Sequence, residues 1–184
     1  MKFSRRMAGL FVLALLDVAV LAPGAVQAHR SSSALKVFSD THFGYRLTYP
    51  ATWSRSPSTN LDVLLLAPDS DARLGGKGID AGLSASDVRK TVDSTISQLS
   101  GPTTAILRTT RVIHGVTFQM ARATFTVNGV SELAMTLGAS RHQRTYLFFG
   151  IVGLAKPAAH LQAPHGQEEL GQLQASFASI TLAR

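Results

Sequence analysis

The chain has 184 residues, of which 45% are hydrophobic and 16% charged, and its formal net charge at pH 7 is +7. This composition excludes a disordered, collagen-like or coiled-coil chain and is typical of one globular domain. Because the chain has no cysteine, disulfides, thiolate metal sites, a cysteine nucleophile and a lipobox cysteine anchor are also excluded.

The first 28 residues have the three-part pattern of a secretory signal peptide. Basic residues precede an almost continuous apolar run over residues 7–21, and Val26–Ala28 supplies small or compact residues at the cleavage positions. The run is shorter than the roughly 20 residues of a membrane-spanning helix and contains Asp17. We therefore expect cleavage after Ala28 and export to the periplasm or the extracellular space; an uncleaved anchor is the alternative.

The mature chain is predicted to begin with a flexible lead-in over residues 29–35, and a single domain follows over residues 36–184. Three short strands are predicted in its first part, at Val37–Phe38, Tyr45–Tyr49 and Asp62–Ala67. The glycine-rich segment Leu74–Gly78 is interpreted as part of a flexible loop, because it lacks the glycine spacing and the Ser or Thr of a phosphate-binding loop.

A helix is predicted from Ser86 to Leu99. Its apolar residues recur on one stripe, and Ser84 with Asp87 three positions later resembles a capping pair. Gly101 and Pro102 end the helix.

Four strands follow this helix and are joined by turn-forming residues. They are predicted at Ala105–Ile113, Val116–Val127, Val130–Ala139 and Thr145–Leu154. The last of them is apolar at both alternate sets of positions, which indicates that both faces of the sheet are covered. The second shows the same mixture, explained either by a bulge near Ala121 and Arg122 or by burial of both faces.

A second helix is predicted near Gln167 to Ser179, with a short edge segment at Ile180–Leu182. Glu168 and Glu169 are interpreted as favourable charges at the positive end of this helix. Together the elements predict an α+β fold, an α/β/α sandwich whose mostly antiparallel sheet is covered by helices on both faces.

The opening of the domain resembles the PsbP-like family, which includes PsbP, Ran-binding nuclear-import relatives and many exported bacterial proteins. The resemblance rests on Phe43-Gly44-Tyr45 and on Tyr49-Pro50 followed by Trp53, and on the order of the elements over residues 36–182. It implies an α/β/α sandwich without an active site that acts by binding a partner. Photosystem, manganese and Ran binding are not transferred to any residue, since the lipobox cysteine and the transit peptide of the photosynthetic branch are absent.

Histidine offers one route to chemistry. Cleavage after Ala28 would leave His29 as the first residue, and an amino-terminal histidine with a second imidazole can chelate copper. Candidate second ligands are His42, His114, His142, His160 and His165. A solvated lead-in without a metal is the favoured interpretation, so we expect no cofactor. No catalytic residue is assigned, because the sequence contains no Gly-Xaa-Ser-Xaa-Gly motif.

Five arginines fall on the four-strand region and its turns and form a possible anion-binding patch: Arg108, Arg111, Arg122, Arg141 and Arg144. Such a patch would attract phosphate, anionic lipid or acidic glycans. The favoured alternative is a sheet edge protected by charge. Aromatic residues do not alternate with the charges as binding of single-stranded nucleic acid requires, and no nucleic-acid partner is expected.

These observations favour an exported, monomeric binding or accessory protein of the cell envelope or periplasm whose partner the sequence does not identify. Two alternatives stay open. One is a metal-dependent or hydrolytic enzyme that uses His29 or another histidine, and the other is a basic adaptor for anionic envelope polymers.

Overall fold

The computed structural model describes residues 34–101, 104–155 and 164–183. These residues lie within one compact unit, Ser33–Arg184, and the leader predicted over residues 1–28 is outside them. The described elements are, in chain order, β1 (Leu35–Asp40), β2 (Tyr45–Pro50), β3 (Ser54–Arg55), β4 (Val63–Leu66), β5 (Ala72–Ile79), α1 (Ala85–Ser100), β6 (Leu107–Ile113), β7 (Val116–Val127), β8 (Val130–Arg141), β9 (Arg144–Ala155), α2 (Pro164–Ala178) and β10 (Thr181–Leu182).

The strands form two antiparallel sheets. The larger sheet has the order β3-β4-β5-β9-β8-β7-β6, and the smaller one has the order β1-β2-β10. The predicted α+β fold with mostly antiparallel pairing is therefore confirmed. The division into two sheets is not predicted by the sequence pattern, because it depends on which strands pair, and the pattern within each strand does not name its partner.

Both faces of the larger sheet are buried at its centre, as the apolar residues of β9 predict. Phe148 and Val152 point into the main core with Leu173 of α2. Ile151, on the opposite face, belongs to a second cluster with Val88 of α1. The two helices thus cover opposite faces of the larger sheet. The small sheet lies on the same face as α2, since its residues Tyr45, Leu47 and Leu182 belong to the main core. Burial on both faces also explains the mixed apolar pattern of β7, which pairs with β8 without a bulge. Among the described strand pairs, a register shift lies between Ser131 and Glu132 of β8.

Helix α1 forms as predicted. Ser84 is its N-cap, and its side-chain oxygen accepts a hydrogen bond from the backbone N–H of Asp87 at 3.2 Å. Val92 and its neighbours on the stripe are buried, and Gly101 ends the helix with φ of 88°. Only a residue that tolerates this backbone conformation fits there, which explains the glycine.

The glycine-rich segment is a central strand, so the prediction that Leu74–Gly78 is part of a flexible loop is wrong. β5 pairs with β4 on one side and with β9 on the other. A Cβ added at Gly76 would lie 2.8 Å from Phe148, and the ring of Phe149 lies against Gly75. The glycines make space for aromatic rings of the neighbouring strand, which is a contact that local sequence does not reveal.

Helix α2 begins at Pro164, earlier than predicted, with proline at a first helical position that it favours. The indole Nε1 of Trp53 donates a hydrogen bond to Gln172 Oε1 at 2.9 Å. Leu173 packs against Gly150, where any Cβ would collide with it. These contacts fix the helix on the sheet.

Candidate functional site

The described histidines do not converge on one site. His42 Nε2 lies 3.3 Å from Asp80 Oδ2 on the surface, and His114 and His142 occupy two different hairpin turns. Within residues 34–101, 104–155 and 164–183, no three His, Asp or Glu side chains are grouped so that they could hold a metal ion. His29 and His160 lie outside the described residues, and His165 is placed only by the backbone of α2. Copper binding through His29 stays a prediction.

The five predicted arginines occupy two places. Arg141 and Arg144 are paired at the β8–β9 turn. Arg144 Nε lies 3.2 Å from Asp80 Oδ1, and its Nη1 donates to the carbonyl oxygen of His42 at 2.8 Å. Its guanidinium also stands 5.9 Å from the ring centre of Phe43. Arg144 therefore ties the β8–β9 turn to the segment between β1 and β2.

The other three arginines lie on β6 and β7. Arg108 Nε donates to both carboxylate oxygens of Asp93 in α1, at 2.9 and 3.0 Å. Arg111 lies opposite Phe118 and Arg122 opposite Met135, so both point to the face away from α1. Arg108 and Arg111 thus present positive charge on both faces of one strand.

A shallow groove lies between α1 and β6, and we call it the α1–β6 groove. Its volume is about 370 Å³, and it is lined by Arg89, Val92, Asp93, Arg108, Thr109, Thr110, Gln119 and Met120. Arg89 Nε donates to Gln119 Oε1 at 3.3 Å. Asp93 is the only carboxylate on the wall and already pairs with Arg108. The groove is therefore positively charged.

Strand β6 forms one edge of the larger sheet and is unusually exposed. Six of its seven residues are exposed, and Leu107 and Val112 retain 53% and 68% of their accessible surface. The opposite edge, β3, has only two residues. The sequence predicts the strand, but its position at the edge follows from the pairing order and not from its own pattern.

Glu169 is a buried carboxyl that the sequence interpretation misses. Since α2 begins at Pro164, the first turn contains no acidic residue, and the prediction that Glu168 and Glu169 stabilise the helix start is wrong. Glu169 is 6% exposed, and burial, followed by a hydrogen bond with Asp69 and the nearby acidic charges, raises its pKa to about 7. Its Oε2 makes no hydrogen bond to the described residues. Glu169 lies four positions before Leu173 and therefore on the same face of α2; this spacing is the sequence signal for its burial.

The fold is similar to that of PsbP-like proteins, so the predicted resemblance is confirmed at the level of fold. The solution structure of cyanobacterial PsbP (CyanoP) from Synechocystis is similar, with a TM-score of 0.55, 16% identity, and coverage of 89% of this chain and 99% of that one. The crystal structure of LpqN, involved in cell envelope biogenesis of Mycobacterium tuberculosis, has a TM-score of 0.52, 10% identity, and coverage of 85% and 88%.

A third similar structure comes from Bacteroides thetaiotaomicron, with a TM-score of 0.54 and 10% identity; 81% of this chain aligns with 48% of that one. No family model matches the sequence, and no curated protein matches it either. At these identities the likeness establishes the fold. No helix within the described residues is both long and apolar enough to cross a membrane.

Proposed function

We propose that this chain is an exported, monomeric and non-enzymatic accessory protein of the cell envelope, and that it binds a partner protein through β6 and the α1–β6 groove. The observation that carries this proposal is the exposure of β6, a seven-residue edge strand with six exposed residues in a sheet whose central strands β8 and β9 are mostly buried or half-buried. Natural proteins usually shorten or cover such an edge, because it can pair with other chains.

The envelope location is supported by the leader pattern and by the similarity in fold to LpqN. Amino-terminal sequencing of the protein recovered outside the cytoplasm tests it. We expect the mature protein to begin at His29, and the same experiment would show whether the copper ligand predicted there can exist. An intact amino terminus in the cytoplasmic fraction would contradict export.

Site-specific crosslinking tests the binding surface. A photoreactive amino acid at Val112 of β6 is compared with one at Thr52, which is also exposed but lies between β2 and β3. In the native envelope we expect one discrete protein adduct from position 112 and none from position 52. Equal labelling from both positions, or none from position 112, would reject this surface.

A second candidate function, the adaptor for anionic envelope polymers, is favoured by one specific observation. Among the described residues, neither Arg89 nor Arg111 has a carboxylate partner within ion-pair distance. An adaptor would bind an acidic polymer in a salt-sensitive way, and the binding would weaken in the pair Arg141→Glu and Arg144→Glu. The protein-partner proposal expects a discrete adduct that survives removal of such polymers.

A further inference from the structure

The outer side of β6 has backbone groups that no described strand pairs. All seven residues of β6 pair with β7, and the strand order ends there. In an antiparallel pair, alternate residues direct their N–H and C=O groups away from the partner strand. β6 therefore presents a row of donors and acceptors over its length, whereas the two residues of β3 at the other edge present almost none.

Each face of β6 presents the same two kinds of side chain, one positively charged and one apolar. Arg108 and Val112 lie on the face towards α1, and Leu107 and Arg111 lie on the other face. Each face thus has one cation and one exposed apolar side chain. A strand added at this edge would meet both faces and gain most from side chains that combine negative charge with β-branched apolar groups.

A second copy of this chain fits the edge poorly. Pairing two β6 strands would bring two copies of Arg108 and Arg111 to one seam, and like charges across paired strands are destabilising. The net charge also opposes association of identical chains, since the total of +7 becomes +5 when cleavage after Ala28 removes Lys2, Arg5, Arg6 and Asp17. The charge of the edge therefore selects an acidic partner.

We propose that the free edge of β6 accepts an extended, acidic segment of a partner protein as an added strand of the larger sheet. Backbone hydrogen bonds to β6 supply the pairing, and Arg111 with the neighbouring Arg89 of the groove supplies charge selectivity. This inference rests on the proposed binding function and specifies the chemistry of its partner.

Peptide binding to the full chain tests the inference. The probe is a seven-residue peptide in which pairs of Glu alternate with pairs of Val, so that both faces of the added strand carry both side chains. Its matched control has Lys in place of every Glu. We expect the Glu peptide to slow hydrogen exchange at alternate backbone amides of β6 and to bind at least about tenfold more tightly than the Lys peptide. A Glu–Val peptide methylated at alternate backbone nitrogens should lose this protection, because it cannot donate to the edge.

Charge reversal separates a specific site from general attraction. Arg111→Glu should weaken binding of the Glu peptide by about tenfold, and its exposed side chain makes no hydrogen bond or ion pair with the described residues. Arg73→Glu, an exposed position on β5, makes the same change in net charge far from β6 and should leave binding within about twofold.

Three results would overturn the inference. They are equal weakening by both reversals, protection outside β6, and no binding at millimolar peptide. Concentration-dependent protection of β6 without peptide, with a dimer in sedimentation, would assign the edge to a second copy instead. If the peptide fails while the crosslink from position 112 persists, the binding function stands and only the acidic-strand partner is rejected.

Discussion

The central strands of the larger sheet and its edge strand β6 are built from opposite kinds of residues. In β5 and β9, glycines and phenylalanines fit together, and Phe148 is fully buried between the small sheet and α2. In β6, the side chains are threonine, arginine and exposed aliphatic groups, with only Ile113 buried. Shape complementarity stabilises the centre of the sheet, whereas substitutions in the edge strand should change the stability of the fold only slightly.

This contrast separates stability from binding along one sheet. A substitution in β5 or β9 acts on packing, because the interior is close-packed and strands on both sides constrain it. A substitution on the outer side of β6 acts on charge and on the surface that a partner would meet. The two regions can therefore be tested independently.

The largest effect is expected from opening a cavity in the centre. Phe148→Ala should lower the free energy of unfolding by about 3–5 kcal/mol, since the ring is fully buried in the main core. Val112→Ala in β6 is the control and should change it by less than about 1 kcal/mol. Urea denaturation of both variants measures this difference. Similar losses would show that the edge is as tightly packed as the centre.

A pH-dependent effect is expected on the α2 side of the sheet. The pKa of Glu169 rises from its ordinary 4.5 to about 7 in the folded protein, because burial disfavours the charged carboxylate. As the pH rises from 4.5 to about 7, the Glu169 carboxyl loses its proton in the unfolded chain before it does so in the folded protein. Glu169 therefore lowers the stability of the folded protein as the pH rises through this range. Glu169→Gln should therefore stabilise the protein by about 2 kcal/mol at pH 8 and by little at pH 4.

Urea denaturation at both pH values checks this expectation. Glu168→Gln removes a charge from the neighbouring exposed position, where Glu168 Oε1 accepts a hydrogen bond from Gln172 at 3.0 Å. The control should shift stability similarly at both pH values. A Glu169→Gln effect that is independent of pH would show that the carboxyl has the same pKa in the folded and the unfolded chain.

The parts of the fold that sequence predicts correctly are those decided by neighbours along the chain. The cap at Ser84, the stripe of α1 and the turn at Asn128 and Gly129 depend on residues only a few positions apart. The apolar character of β9 at all positions also reveals its double burial without any knowledge of its partners. Each of these features is confirmed.

The features that sequence misses depend on residues far apart in the chain. Gly75 and Gly76 are typical of a loop until the rings of Phe148 and Phe149 are placed beside them. Glu169 resembles a helix-start charge until Asp69 is brought next to it. Local pattern cannot distinguish these cases, because the deciding atoms come from other elements.

The candidate site shows the same division. The sequence identifies Arg108 and Arg111 as members of a basic surface and offers a charge-protected edge as their alternative role. It does not reveal that β6 ends the strand order or that α1 forms a groove beside it, since both depend on the pairing of β7 with β8. Residue type was predictable, and the geometry of the surface was not.

A smaller effect is expected from two matched glycine substitutions. Gly76→Ala should destabilise the protein by about 1–2 kcal/mol, because the new Cβ would lie 2.8 Å from Phe148 and 3.0 Å from Val63. Gly171→Ala in α2 meets nothing within 4 Å and should stabilise it by up to about 1 kcal/mol through helix propensity. Thermal unfolding of both variants measures these changes, with a lower unfolding temperature expected for Gly76→Ala and a higher one for Gly171→Ala. A neutral Gly76→Ala would mean that the rings can move aside.

The smallest effect is expected at the ion pair that joins β6 to α1. Arg108 and Asp93 are 53% and 28% exposed, so solvent screens their attraction even though their atoms lie 2.9 Å apart. A double-mutant cycle with Arg108→Ala and Asp93→Ala should give a coupling energy below about 1 kcal/mol, and it should fall further in high salt. The pair of Arg144 with Asp80, at 3.2 Å and similarly exposed, is the matched control cycle. A coupling above about 2 kcal/mol for the Arg108–Asp93 pair, and not for the control pair, would mean that this pair behaves as a buried interaction and holds β6 rigidly against α1. The edge strand would then be stabilised by its own domain, and its exposure would be weaker support for a binding partner.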